Sequence, residues 1–216
     1  MLKKTVRWFF PNDIYRFYYE DLDYHLRDCK TVLDLACGKN SPIRKCKKHF
    51  SSTGVDIFEP YLKESQSKGI HDDYIISDVL QVHHKVTSKS FDAVIALDLI
   101  EHLEKDDGFR LIEIMEKVAI KKIILFTPNG FLKQTPYDDN PWQEHKSGWN
   151  ISELKDKNFE VFAQGGLKYL RGERSKIKHR PYFFWSRISY ITQKFVRYAP
   201  TLSYQILCVK NLEKNQ

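Results

Sequence analysis

The chain has 216 residues, of which 42% are hydrophobic, 14% aromatic and 29% charged, the balance of one globular domain and not of a disordered or fibrous chain. Lys and Arg number 35 against 28 Asp and Glu, a formal net charge of +7, which permits a phosphate-bearing, acidic or membrane-surface partner without requiring one. No apolar run approaches the roughly 20 residues of a membrane span.

The opening apolar stretch is broken by Arg7 and Pro11, too early for a secretory signal core. Trp8 to Leu26 reads as a helix. From there, short β-branched runs alternate with helical patterns, the signature of βαβ units around a mostly parallel sheet. Thr31 to Leu35 is a first buried strand, and Ser41-Pro42 opens a helix expected to run through His49. Thr53 to Asp56 is a second strand, followed by a helix from Pro60 to Lys68 that Gly69 stops. Tyr74 to Ser77 and Phe91 to Ala96 are the third and fourth strands. A helix from Gly108 to Val118 leads to a fifth strand, Lys122 to Phe126, closed by the turn Thr127-Pro128-Asn129-Gly130. Phe159 to Ala163 and Ser203 to Val209 are two closing strands.

Between those last strands lies a basic, aromatic segment. Lys168, Arg171, Arg174, Lys176, Lys178, Arg180, Arg187, Lys194 and Arg197 face one acid, Glu173, so the rest of the chain is near neutral. Within it Phe184, Ile188, Ile191, Phe195 and Tyr198 recur at helical spacing, an inserted amphipathic helix. Three uses suit it: a lid packing its apolar side on the sheet, a foot on an anionic membrane surface through 168–198, or a track for the phosphates of a nucleotide sugar, a polyprenyl-linked glycan or RNA. Cys29, Cys37, Cys46 and Cys208 form no C-x-x-C pair and no zinc spacing, so reduced thiols are expected. The expected location is the cytoplasm, peripheral to the inner membrane face at most.

In open α/β sheets ligands sit outside the carboxyl ends of the strands. There the chain places Asp34-Leu-Ala-Cys-Gly-Lys-Asn-Ser, Asp56-Ile-Phe-Glu-Pro, Asp78-Val and Leu97-Asp98-Leu-Ile-Glu101-His102. Acids at successive strand ends suit a cationic, hydroxyl-rich ligand better than a pyrophosphate, and the loop lacks the third glycine of a nicotinamide fingerprint. This ordered set, over roughly residues 30 to 165, resembles the class I S-adenosylmethionine-dependent methyltransferases, nearest the small-molecule and ubiquinone-pathway O-methyltransferase branch.

The resemblance implies a doubly wound, Rossmann-like seven-stranded α/β sheet, mostly parallel with its last strand antiparallel, in one domain over 1–216. Residues 1–28 would form a helical cover, 29–165 the cofactor core, 168–200 the basic insertion and 202–210 the closing strand. It implies S-adenosyl-L-methionine as cofactor. Asp34, Ala36 and Gly38 would hold its methionine end, Asp56 both ribose hydroxyls, Ile57 and Val79 the adenine, and Asp78 the adenine amino group, with Leu97 beside it. The family's glycine-rich loop here carries Ala36 and Asn40 at its outer positions; Ala36 fits at little cost if its φ is negative, and Asn40 tolerates a left-handed backbone.

Asp98, Glu101 and His102 fall at i, i+3 and i+4, one face of an incipient helix. With the later His145 they resemble the metal site of small-RNA 2′-O-methyltransferases and ubiquinone-pathway O-methyltransferases. The resemblance implies Mg²⁺ or Mn²⁺ on Asp98, Glu101, His102 and His145, with His102 and His145 assisting deprotonation. Alternatively, His102 bonds locally and Glu101 caps the helix. Trp142, His145 and Trp149 are expected to face substrate, with a packed aromatic loop as the alternative.

The expected reaction is methyl transfer to an oxygen or nitrogen of a small-molecule, glycan or lipid-linked acceptor. Two other readings stay open: an RNA 2′-O-methyltransferase, less favoured because no RNA-binding module is appended, and a non-catalytic interaction protein on a degenerate scaffold.

Overall fold

The computed structural model describes residues 16–47, 49–136 and 138–212; the part of the expected N-terminal helix and cover before residue 16 lies outside them. Helix α1 (Arg16–Leu26) precedes strand β1 (Thr31–Leu35). There follow β2 (Ser51–Asp56), α2 (Glu59–Ser67), β3 (Asp73–Ile76), β4 (Phe91–Leu97), α3 (Lys105–Val118) and β5 (Ala119–Pro128). The chain closes with α4 (Ile151–Asp156), β6 (Glu160–Leu167), α5 (Tyr182–Val196) and β7 (Ser203–Asn211).

The seven strands form one sheet in the order β3-β2-β1-β4-β5-β7-β6. All pairs from β3 to β5 are parallel, and β7 runs antiparallel to both β5 and β6. Central strands covered on both faces read as continuous apolar runs, and their alternate side chains serve two cores. Leu33, Leu35, Val94 and Ala96 pack with Leu111, Ile112 and Met115 of α3. Val32, Ala93, Ile95 and Leu97 pack on the other side with Tyr18, Leu22 and Leu26 of α1. The strand order reverses between β1 and β4, so their carboxyl ends diverge and leave a crevice.

Two expectations are corrected. The helix expected from Ser41 to His49 is a single 3₁₀ turn, Pro42–Lys45, capped by the Ser41 hydroxyl, which accepts from Ile43 N–H. Cys46 is extended, which lets both Cys46 and Phe50 bury beneath α1.

The inserted helix α5 forms, but turned the other way. Its buried residues are Ser189, Gln193 and Val196, while Phe184, Ile191 and Phe195, and Tyr198 in the turn just past its end, are exposed, so it does not pack an apolar side on the sheet. The reason is that α5 covers the edge strand β6, not a sheet face. An edge strand leaves backbone donors and acceptors without a ladder partner, and buried ones must be bonded. Gly166 N–H donates to Gln193 Oε1 at 2.8 Å, Gln193 Nε2 donates to Ala163 C=O at 2.7 Å, and Leu167 N–H donates to Thr192 Oγ1. The approach is close: a Cβ on Gly166, whose φ is +71°, would lie 2.2 Å from the Ser189 carbonyl oxygen. Small and polar residues therefore face inward.

Candidate active site

The crevice divides into two cavities. The first, about 230 Å³, is lined by Ala36, Gly38, Asp56, Ile57, Asp78, Val79, Asp98, Leu99, His102 and by Asn140, Trp142, Gln143 and Lys146 of the loop after β5, among others. The β1 loop turns into it through two left-handed residues, Ala36 at φ +53° and Gly38 at φ +58°. Alanine at that position therefore carries strain, contrary to the negative φ that would have made it cheap, whereas Asn40 keeps an ordinary backbone. Gly38 N–H donates to Asp56 Oδ2 at 2.9 Å and Phe58 N–H to Oδ1 at 2.8 Å. These bonds fix the Asp56 carboxylate at the cavity wall; burial, the larger effect, pushes its pKa up against them. Ile57 presents an exposed apolar surface, and Asp78 is pinned by Leu80 N–H.

Two residues assigned to this group by resemblance are placed elsewhere. Asp34 is buried behind the loop, where its Oδ2 accepts from the Ser41 hydroxyl at 2.5 Å and lies 3.5 Å from His71 Nε2. Burial lifts its carboxyl to about 7. Leu97 is buried in the core with α1. Neither lines the cavity.

The second cavity, about 270 Å³, is lined by Asp98, Glu101, His102, Leu132, Gln134, Gln143, His145, Arg174, Ser175, Tyr204 and Gln205, with Pro128. Asp98, His102 and Gln143 belong to both walls. Asp98, at φ +53°, is exposed where the two cavities meet. Burial pushes its carboxyl and that of Glu101 up, and the proximity of Asp98 adds to the effect on Glu101.

Hydrogen bonds carry the distant His145 to this point. Lys146 and Ser147 N–H both donate to Glu101 C=O, and Trp149 Nε1 donates to Ile100 C=O. Trp149 is thereby wholly buried, a core anchor for the loop and not the substrate-facing residue expected. Trp142, half exposed, does line the first cavity. Glu101, His102 and His145 each bring a ligand atom within 4.8 Å of the others, and Asp98 stands outside that group. His102 Nδ1 lies 2.9 Å from Glu144 C=O and His145 Nδ1 2.6 Å from Leu132 C=O. A carbonyl only accepts, so both Nδ1 atoms carry the hydrogen and both Nε2 atoms present lone pairs. Burial lowers both pKa values, that of His102 to about 4, keeping the rings neutral. Glu101 is held by Thr127 Oγ1–H.

Sequence reasoning missed Gln205 and Tyr204 on β7, and Gln134 and Gln143 on the loop. Gln205 donates to Asp98 Oδ1; nothing in the pattern of a closing strand singles it out. The loop residues carried one signal, their place after a parallel strand.

The sequence matches the family model described as a methyltransferase domain over residues 33–124. This is the class I methyltransferase fold. Among solved structures the methyltransferase fold aligns with a SAM-dependent methyltransferase from Archaeoglobus fulgidus (TM-score 0.58, 20% identity, covering 89% of this chain and 94% of that one). It aligns with the magnesium protoporphyrin IX methyltransferase of Synechocystis PCC 6803 with bound SAM (0.52, 19%, 91% and 80%). It also aligns with the small RNA methyltransferase HEN1 (0.56, 16%, 91% of this chain and 25% of that one). No curated protein matches the sequence significantly. These neighbours span different branches of the methyltransferase fold at similar scores.

Proposed function

We propose that the protein transfers a methyl group from S-adenosylmethionine to an oxygen or nitrogen of a small-molecule, glycan or lipid-linked acceptor. The observation that carries this reading is the pair of cavities meeting at Asp98, His102 and Gln143. One cavity offers what the cofactor needs: a fixed carboxylate at Asp56 for vicinal hydroxyls, an apolar surface at Ile57 and Val79 for a purine, and a peripheral acceptor at Asp78. The left-handed loop at Ala36 to Gly38 lets backbone approach the methionine end, with Asp34 supporting it from behind through Ser41. The other cavity, polar and adjoining, takes the acceptor.

Bound in the first cavity, S-adenosylmethionine would supply a methyl group already activated by its sulfonium, and the walls shared by the two cavities would hold the acceptor heteroatom against it. Holding nucleophile and methyl in line while the walls exclude water supplies most of the acceleration. Asp98, His102 and Gln143, which line both cavities, are the residues that would flank the reacting groups.

The donor set fits a divalent cation, Mg²⁺ or Mn²⁺: two neutral imidazoles with free Nε2 atoms, each anchored through Nδ1, and a carboxylate held by Thr127. Glu101, His102 and His145 would hold it, with Asp98 near. A cation held there would supply Lewis acidity that lowers the pKa of an acceptor hydroxyl. Burial makes His102 and His145 weak bases, which favours ligation and orientation over direct proton abstraction.

An RNA acceptor is the second reading, favoured by the same cluster and by Arg174 at the second cavity. Labelled S-adenosylmethionine incubated with separate small-molecule, lipid and RNA fractions tests both. Label entering the first two, and lost in Glu101→Gln, supports the proposal. Label confined to RNA, with steep salt dependence, supports the second; no transfer to any fraction contradicts both.

A further inference from the structure

We infer that the outward face of α5 docks the protein on the surface of an anionic lipid bilayer. Because Ser189 and Gln193 turn inward to satisfy the edge strand, the side of the helix opposite them carries its large apolar residues into solvent. Phe195 is 67% exposed, Tyr198 93%, and Phe184 and Ile191 about half. Lys194 lies among them and is exposed. Phe183, at the start of the helix, extends the strip at 68% exposure.

The surrounding segment, 168–198, holds nine basic residues against one acid; Arg171 is buried, Arg197 pairs with Asp21 and Arg174 lines the second cavity, while Lys176, Lys178, Arg180, Arg187 and Lys194 are exposed. Aromatic side chains interleaved with cations on one helical face are the composition of an interfacial helix, whose rings enter the headgroup boundary while the charges meet anionic lipid. The core of a protein interface, by contrast, is depleted in lysine. Successive aromatics here follow helical spacing, unlike the stacking platform that single-stranded RNA requires. No helix among the described residues is long and apolar enough to cross a membrane, so the contact is superficial.

The helix is tied to the rest of the fold at several points. Beyond the bonds to β6, Arg197 pairs with Asp21 of α1 at 3.0 Å, and the Tyr190 ring packs on Phe17. It is also joined to the second cavity, since buried Arg171 donates from Nε to Ser189 Oγ on α5 and from Nη1 to the carbonyl of Ser175, which lines that cavity. The inference stands apart from the acceptor's identity and from methyl transfer.

Co-sedimentation of the full chain with phosphatidylcholine vesicles, with and without phosphatidylglycerol, reads it directly. The expected result is pelleting with the anionic vesicles only, weakened by salt. Phe195→Ser with Tyr198→Ser should lower vesicle affinity at least about tenfold, and Lys194→Gln about fivefold. These side chains are exposed, so the variants should keep the parent melting temperature and its affinity for S-adenosylmethionine. Three results would overturn the inference: no binding to either vesicle, self-association in sedimentation velocity that the aromatic variant abolishes, or preferential binding of single-stranded RNA lost in the same variants.

Discussion

The imidazoles of His102 and His145 stand edge to face, 4.7 Å between ring centroids at 77°, each anchored at Nδ1 by a backbone carbonyl of the same loop. The arrangement leaves both Nε2 atoms with lone pairs, in a cluster where each ring and the Glu101 carboxylate bring a ligand atom within 4.8 Å of the others. Titration with Mn²⁺ should show one site, and His145→Ala should weaken it at least about tenfold. Unchanged affinity in that variant, or equal turnover after exhaustive chelation, would remove the metal from the account.

Ala36 occupies a left-handed backbone position, φ +53°, where a Cβ costs about 1 kcal/mol. Ala36→Gly relieves that strain, although glycine also gains entropy in the unfolded chain. The net gain should be a few tenths of a kcal/mol up to about 1 kcal/mol, seen as a higher melting temperature with cofactor affinity kept or improved. A drop in melting temperature would show that the loop is not strained there.

Asp34, wholly buried, has its pKa raised from 3.8 to about 7, chiefly by burial. Between those values the folded chain holds a proton that the unfolded chain has lost, so stability falls as pH rises from about 4 to about 7. The full contribution is on the order of 4 kcal/mol. Asp34→Asn keeps an acceptor for Ser41 and should flatten denaturant-derived stability across that window. An unchanged slope would mean the carboxylate is compensated.

Gln193 bonds Gly166 N–H and Ala163 C=O at the sheet edge. Gln193→Leu leaves both groups buried and unpaired, at about 1–3 kcal/mol each, and should loosen α5 first. Faster amide exchange of Gly166 is the signature. Gln193→Glu should retain the bond from Gly166 while losing the one to Ala163, and so fall between.

The sheet was legible because its central strands are buried on both faces: Ala93 to Leu97 reads as an uninterrupted apolar run and Val32 to Leu35 as one broken only by Asp34, and strand ends carried Asp56, Asp78 and Asp98 to one side. Hydrophobic period failed at α5 because it presumes that a helix buries its apolar stripe on a sheet face. At an edge strand, unpaired backbone groups decide instead, and no periodicity encodes them. Asp34 illustrates a second limit. Its place in the motif is visible in the sequence, but whether a strand-end acid faces the crevice or the back of the loop depends on Ser41 and His71, which only the fold brings there. The loop residues Trp142 and Trp149 look alike in sequence, and a hydrogen bond to Ile100 C=O consigns one of them to the core.

The central claim is that the first cavity takes S-adenosylmethionine with Asp56 as the residue that holds its hydroxyls. Calorimetric titration of the wild-type chain and of Asp56→Ala, both checked for folding by circular dichroism, tests it most directly. The account predicts one site per chain in the wild type and a loss of about a hundredfold or more in the variant, as two hydrogen bonds to a charged group disappear. Absence of binding to the folded wild type, or equal binding in the variant, would contradict it.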